Sequence, residues 1–137
     1  MVYVQSGEWL EMMRRYMQQL PSAQRGWLAG VRDPIIGHTR RLLHTHPEHE
    51  WTVDELAQAV GLARSTLAQR FREIMGESLM RYLAGWRMQV AQYLLRQTSL
   101  SIREVAEQTG YESEAAFSRA FKRYCGQPPA LWRMEGR

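Results

Sequence analysis

The chain has 137 residues, 45% of them hydrophobic and 23% charged, with a formal net charge of +4. That length buries one or two small cores and excludes a large ligand-binding domain beside them. No apolar run reaches the length of a membrane span and no signal-peptide pattern opens the chain, so a cytoplasmic protein without a membrane partner is expected, and the single cysteine, Cys125, excludes an internal disulfide.

Residues 1–32 carry one amphipathic stretch, in which Trp9, Met13, Tyr16, Met17 and Leu20 recur at helical spacing before Pro21 and Ser22 close it. A stripe of methionines and aromatics of this kind reads as core or as a face for a partner helix, here a dimer or docking face. Asp33-Pro34 then opens a second helix, with Asp33 as N-cap and Pro34 in its first turn. Ile35, Ile36, Thr39, Leu42 and Leu43 are expected inward. The helix ends in HTHPEHEW, where His44, His46 and His49 raise a metal question that the lack of a familiar fourth ligand answers against, and where Pro47 reads as an exposed turn.

Thr52 to Gly76, TVDELAQAVGLARSTLAQRFREIMG, reads as two short helices joined by a tight turn. Thr52 and Glu55 form a capping box, Val53, Leu56, Ala57 and Val60 share one face, and Gly61 supplies the left-handed residue that ends the helix. A helix from about Arg64 turns Leu67, Phe71 and Ile74 inward and leaves Arg64, Ser65, Ala68, Gln69 and Arg72 outward. Helix, glycine turn and a second helix with a polar, basic outer face is the helix-turn-helix pattern, whose second helix enters a DNA major groove.

Leu79 to Arg96 follows, with Tyr82, Leu83, Trp86, Met88, Val90, Ala91, Leu94 and Leu95 too numerous for one narrow stripe, so a helix buried on more than one side is expected. Its length of roughly 27 Å suits a strut between two packed units. Then the pattern restarts. Ser101 and Glu104 repeat the capping box, Ile102, Val105 and Ala106 repeat Val53, Leu56 and Ala57, and Gly110-Tyr111 repeats Gly61-Leu62. Past a turn one residue longer, Phe117 matches Leu67, Arg119 matches Gln69, Phe121 matches Phe71 and Gly126 matches Gly76. Ser113 caps the new helix where the first copy has only Ala63. Pro128-Pro129 introduces a short closing helix bearing Leu131 and Trp132.

Charge follows the repeat. Of eighteen basic residues only Lys122 is a lysine. From Gly61 to Arg137 there are twelve basic and seven acidic side chains, whereas the preceding residues are close to balanced. Arginine grips phosphate bidentately and reads guanine edges. Coding bias in a GC-rich genome is the plainer alternative reading for the total, but the concentration of charge in the repeated half is more telling.

From about Asp33 to Met134 the chain resembles the DNA-binding domain of AraC/XylS-type transcription regulators. LAQAVGLARSTLAQRFREIMGESLMRYLAGWRM is similar to the first helix-turn-helix and linker of that family. SIREVAEQTGYESEAAFSRAFKRYCGQPPALWR resembles its signature segment, a Gly-aromatic pair leading into a helix that ends in Phe-Lys and then Gly-x-Pro-Pro. The resemblance implies an all-α fold of two helix-turn-helix subdomains, 33–78 and 98–137, joined by a linker helix over 79–97. It also implies a bacterial cytosolic, sequence-specific regulator of transcription, an activator by preference. Two recognition helices about one helical turn apart, ~34 Å, would then lie in successive major-groove segments. Carried over residue by residue, the base-reading positions fall on Ser65, Ala68 and Gln69, and on Glu114, Ala115, Ser118 and Arg119. Gln69 suits adenine, Arg119 guanine and Glu114 cytosine N4. Arg64, Thr66, Arg70, Arg72, Lys122 and Arg123 are expected on phosphates, which position without specifying.

The partners so implied are double-stranded DNA, RNA polymerase by family analogy, and a second copy through the N-terminal helix, with no cofactor, no metal and no catalysis. The chain departs from the family upstream, where residues 1–32 are too short for the β-barrel effector domain that many members carry. Either the chain is a stand-alone short regulator controlled by its amount, or, as the preferred expectation, it is a fragment of a longer ligand-responsive one in which residues 1–32 are the remnant of an effector or dimerisation domain. The rival reading from another class is a helical interaction module, an adaptor or anti-regulator that never binds DNA. For an enzyme there is only Cys125, whose neighbours Lys122 and Arg123 would favour a thiolate. Its match to the apolar Met75 argues for a packed thiol.

Overall fold

A computed structural model describes residues 33–136, and the stripe from Trp9 to Leu20 lies outside the described residues. Every regular element among them is a helix: α1 (Pro34–Thr45), α2 (Val53–Val60), α3 (Arg64–Met75), α4 (Leu79–Gln97), α5 (Ile102–Gln108), α6 (Glu114–Cys125) and α7 (Pro129–Glu135). None of these helices is long and apolar enough to cross a membrane. The chain divides into two compact units, one holding α1 to α3 and the start of α4 as far as Tyr82. The other holds Pro47–Glu50 together with the chain from Leu83 onward.

Helix starts follow the expected chemistry. Asp33 accepts from the Ile35 and Ile36 amides, Thr52 from the Glu55 amide, and Ser101 and Glu104 close a reciprocal capping box. Each of these satisfies amides that the first helical turn leaves without an intrahelical partner. Helix ends repeat as closely. Gly61 stands at φ 77° and Gly110 at φ 83°, and the bond from Leu62 N–H to the Ala57 carbonyl at 3.0 Å recurs from Tyr111 N–H to the Ala106 carbonyl at 3.0 Å. The entry into the turn after the first helix of each copy is thus built the same way twice, although the second turn is longer.

In the first unit Ile36, Leu43, Leu56, Leu67 and Phe71 are fully buried, and Tyr82 meets Phe71 edge-on at 5.4 Å. Each such side chain contributes about 1.5–3 kcal/mol on leaving water. Two expectations change here. Ile74 is 40% exposed, and Met75 at 6% fills the inward position, because four-residue steps from Leu67 and Phe71 lead to residue 75. The HTHPEHEW loop is also more ordered than its composition suggests. Pro47 is buried in the second unit rather than exposed, its carbonyl held by Arg87 Nε at 2.9 Å.

A polar group sits inside the first core. Arg40, His44 and Tyr82 are each 8% exposed, His44 Nε2 lies 2.5 Å from Tyr82 Oη, and Arg40 Nε donates to the same oxygen at 3.4 Å. Burial, reinforced by the Arg40 charge, depresses the His44 pKa to about 3, so this imidazole is neutral at physiological pH. His44 therefore serves as a packed hydrogen-bonding group. Among the described residues no three His, Cys, Asp or Glu side chains converge as metal ligands would.

The second unit is built on aromatics. Tyr111, Phe117, Phe121 and Trp132 form a chain of ring contacts at 5.5, 5.7 and 5.6 Å, and the Arg96 guanidinium lies 3.6 Å over the Trp132 ring. Arg133 Nε donates to the Leu95 carbonyl at 2.7 Å and so ties α7 to α4. Along α4 all eight apolar residues from Tyr82 to Leu95 that the sequence marks are at most 8% exposed. A single stripe does not accommodate them, which accounts for the loss of simple amphipathic spacing.

Candidate nucleic-acid interface

Helices α3 and α6 are each 12 residues long and each ends at a left-handed glycine, Gly76 at φ 81° and Gly126 at φ 85°. Their inward rows are Leu67, Phe71 and Met75 on α3, and Phe117 and Phe121 on α6. Turning away from these rows, Ser65, Ala68, Gln69 and Arg72 form a stripe at i, i+3, i+4 and i+7, and Ala115, Ser118, Arg119 and Lys122 form the same stripe on α6. All of these are exposed except Ser118, which is half-buried. Each unit therefore presents one helix whose outer face is small, polar and cationic at matching positions.

The two faces differ in preparation. Ser113 Oγ accepts from the Ala116 amide at 3.0 Å, which fixes the first turn of α6, whereas Ala63 offers α3 no side-chain bond. Gln69 Nε2 donates to Glu73 Oε1 at 3.0 Å, leaving its carbonyl and one amide hydrogen outward. Glu114 is exposed in the first turn of α6, beside Ser113 and Ala115. Arg64 stands 3.8 Å from Asp54, both well exposed, so water and salt screen that pair. Arg72, Thr66, Arg119, Lys122 and Arg123 are exposed.

Arg70 is placed otherwise. Its Nε and Nη2 meet Asp33 Oδ2 at 2.6 and 2.5 Å, on the side of α3 facing the start of α1. The sequence groups Arg70 with the phosphate-gripping residues, but the structure commits its guanidinium to Asp33 and turns it away from Arg72 and the Ser65, Ala68 and Gln69 stripe. Two further arginines escaped the sequence reading. Arg40 is buried beside His44 and Tyr82, and Arg87 Nη2 adds a 2.7 Å bond to the His49 carbonyl. The available signal was an arginine within an otherwise apolar helical face, which a solvated face would not require.

Cys125 is half-buried and accepts from Gln92 Nε2 at 3.1 Å. Burial pushes its thiol pKa up and the Gln92 bond offsets this only in part. Lys122 and Arg123 thus do not activate it, since a thiol held above its ordinary pKa is a poor nucleophile at neutral pH.

Comparison with known proteins gives this arrangement a context. Residues 56–135 match the model of a helix-turn-helix domain family. The chain is 40% identical over 124 residues to a candidate AraC-like transcription regulator of Streptomyces antibioticus, covering 90% of this chain and 41% of that protein. It thus spans about two fifths of that curated relative's length. Among solved structures, the C-terminal domain of AraT, a response regulator from Geobacillus stearothermophilus, superposes with a TM-score of 0.73 at 30% identity, covering 77% of this chain and 88% of that one. The DNA-binding domain of AdpA, a global transcriptional factor solved in complex with a target DNA, gives 0.69 at 31% identity, covering 75% and 92%.

Proposed function

This chain belongs to the AraC/XylS family of helix-turn-helix transcription regulators, and we propose that it reads an asymmetric duplex site with α3 and α6 in successive major-groove segments. The observation that carries this reading is the repeated stripe: Ser65, Ala68, Gln69 and Arg72 on α3, and Ala115, Ser118, Arg119 and Lys122 on α6. Base reading falls to Ser65, Ala68, Gln69, Glu114, Ala115, Ser118 and Arg119. Phosphate grip falls to Arg64, Thr66, Arg72, Lys122 and Arg123. Arg119 is the strongest reader, because an extended guanidinium matches guanine O6 and N7 and the helix bearing it is capped. The first copy offers only Gln69 with comparable reach.

The chain acts by binding rather than catalysis, in the cytosol, and its expected mode is activation through RNA polymerase, which rests on family analogy alone. The Trp9 to Leu20 stripe supports self-association or docking by its spacing. Selection of bound sequences from a random duplex pool tests the reading. A site of two spaced blocks, with affinity falling steeply as salt rises, supports it. No retention of any duplex at low salt would overturn it in favour of a helical interaction module, and a single block would remove one of the two recognition helices.

A further inference from the structure

Two helices of the same kind are anchored in different ways, and Arg70 marks the difference. We propose that Asp33 is a positioning residue for the recognition helix α3, that it acts through Arg70, and that Arg70 contributes to DNA binding without touching a phosphate. The proposal rests on the reading of α3 as a helix that enters DNA.

The Asp33 carboxylate is divided between two helices. Oδ1 accepts from the Ile35 and Ile36 amides at 2.9 and 3.2 Å and so caps α1. Oδ2 takes both contacts from the Arg70 guanidinium. The Asp33 side chain is only 14% exposed and that of Arg70 39%, so the pair is partly withdrawn from water, where charge-assisted bonds are strongest. Burial by itself would raise the Asp33 pKa, but the bonds from the Ile36 amide, Arg70 and the Ile35 amide outweigh it and hold the carboxyl below its ordinary value.

Helical geometry separates Arg70 from the reading face. At about 100° per residue it projects roughly 100–160° around α3 from Ser65, Ala68, Gln69 and Arg72. A guanidinium there is aimed across the unit toward α1. The second copy supplies an internal comparison, because the residue matching Arg70 is Ala120. That copy has no such ion pair to make, and it carries the Ser113 cap instead. The two recognition helices thus differ in their anchors: α6 has a side-chain cap at its start, whereas α3, whose own start is uncapped, has the Asp33–Arg70 pair midway along it.

The test uses the full 137-residue chain as wild type, Arg70→Ala, Arg70→Lys and Asp33→Asn. Asparagine caps a helix as well as aspartate does, so Asp33→Asn removes the ion pair and spares α1. The probes are the duplex selected from the random pool and an unselected pool, titrated between about 50 and 200 mM salt. Thermal melts establish that each variant is folded at the assay temperature. The expected result is a loss of affinity for the selected duplex of about fivefold in both Arg70→Ala and Asp33→Asn, the upper end for a half-exposed ion pair. The double variant is no weaker than either single one, Arg70→Lys falls between, and the slope of log K against log salt stays at the wild-type value. A slope flattened by about 0.9 in Arg70→Ala, the increment of one phosphate, would overturn the proposal and return Arg70 to the DNA. Unchanged affinity in folded Arg70→Ala and Asp33→Asn would overturn it equally. Absence of duplex binding by the wild type defeats the underlying DNA reading, and the proposal with it, which no variant-specific effect can mimic.

Discussion

The Arg87 guanidinium holds the Pro47–Glu50 loop through Pro47: Nε donates to the Pro47 carbonyl at 2.9 Å, and a Cβ on Gly110 would lie 2.9 Å from that same oxygen. Gly110 is therefore constrained twice, by its φ of 83° and by the space the Pro47–Arg87 pair occupies. Gly61, its counterpart at φ 77°, faces open space. Gly110→Ala should cost more stability than Gly61→Ala. The latter carries only the left-handed penalty of about 1 kcal/mol, and the former adds an overlap with backbone. Arg87→Ala should cost about 1.5–3 kcal/mol, since it leaves the buried Pro47 carbonyl without its charged donor. Urea unfolding of the three variants checks the order, and equal losses at the two glycines would refute the steric part.

The uncapped start of α3 gives a prediction of opposite sign. Ala63 already has extended backbone at φ −68°, ψ 150°, the conformation of an N-cap residue, and it is exposed. Ala63→Ser should therefore stabilise the chain by about 0.5–2 kcal/mol, while Ser113→Ala should destabilise it by a similar amount. The measurement is the shift in Tm for each. No gain in Ala63→Ser would mean that the α3 amides already have other partners.

His44 predicts a pH dependence. Its folded pKa of about 3 lies below the ordinary 6.5, so between these values the unfolded chain binds a proton that the folded chain does not. Stability from this site is complete above pH 6.5 and is lost as pH falls toward about 3. Asp33, whose folded pKa is also lowered, adds its own loss only as pH falls below the ordinary carboxylate value of 3.8. In the wild type, unfolding free energy should thus decline from pH 6.5 downward, and in His44→Gln that decline should begin near pH 4. An unchanged profile in His44→Gln would place the acid sensitivity elsewhere.

For DNA binding the contrast lies between two exposed arginines on matching helices. Arg119→Ala should cost about 1–3 kcal/mol on the selected duplex and relax the preference at one base position. Arg72→Ala should weaken all duplexes alike and flatten the salt slope by about one contact. Repeating the selection with each variant checks both. A changed base preference in Arg72→Ala, or a uniform loss in Arg119→Ala, would exchange their roles.

Local chemistry made much of this chain legible. Caps, glycine stops and four-residue apolar rows depend on neighbours within a turn, so the roles of Thr52, Ser101, Ser113, Gly61, Gly110, Gly76 and Gly126 follow from adjacent residues alone. The repeat turned a common helical hairpin into a specific pattern and fixed which faces of α3 and α6 point outward. What it could not assign were partners far along the chain. Arg70 and Arg72 look alike in sequence, yet Asp33, 37 residues away, takes the one and leaves the other exposed. Arg87 reaches back 40 residues to Pro47, and Tyr82 lies 38 residues from His44. A charged side chain is long and adopts whichever contact the packed chain brings within about 3 Å, so its periodicity states the direction in which it leaves the helix and not what it meets. The sequence by itself determined the helices, their ends and their outward faces. Only the tertiary structure decided which arginines are taken up within the packed chain, as Arg40, Arg70 and Arg87 are, and which stay exposed on α3 and α6.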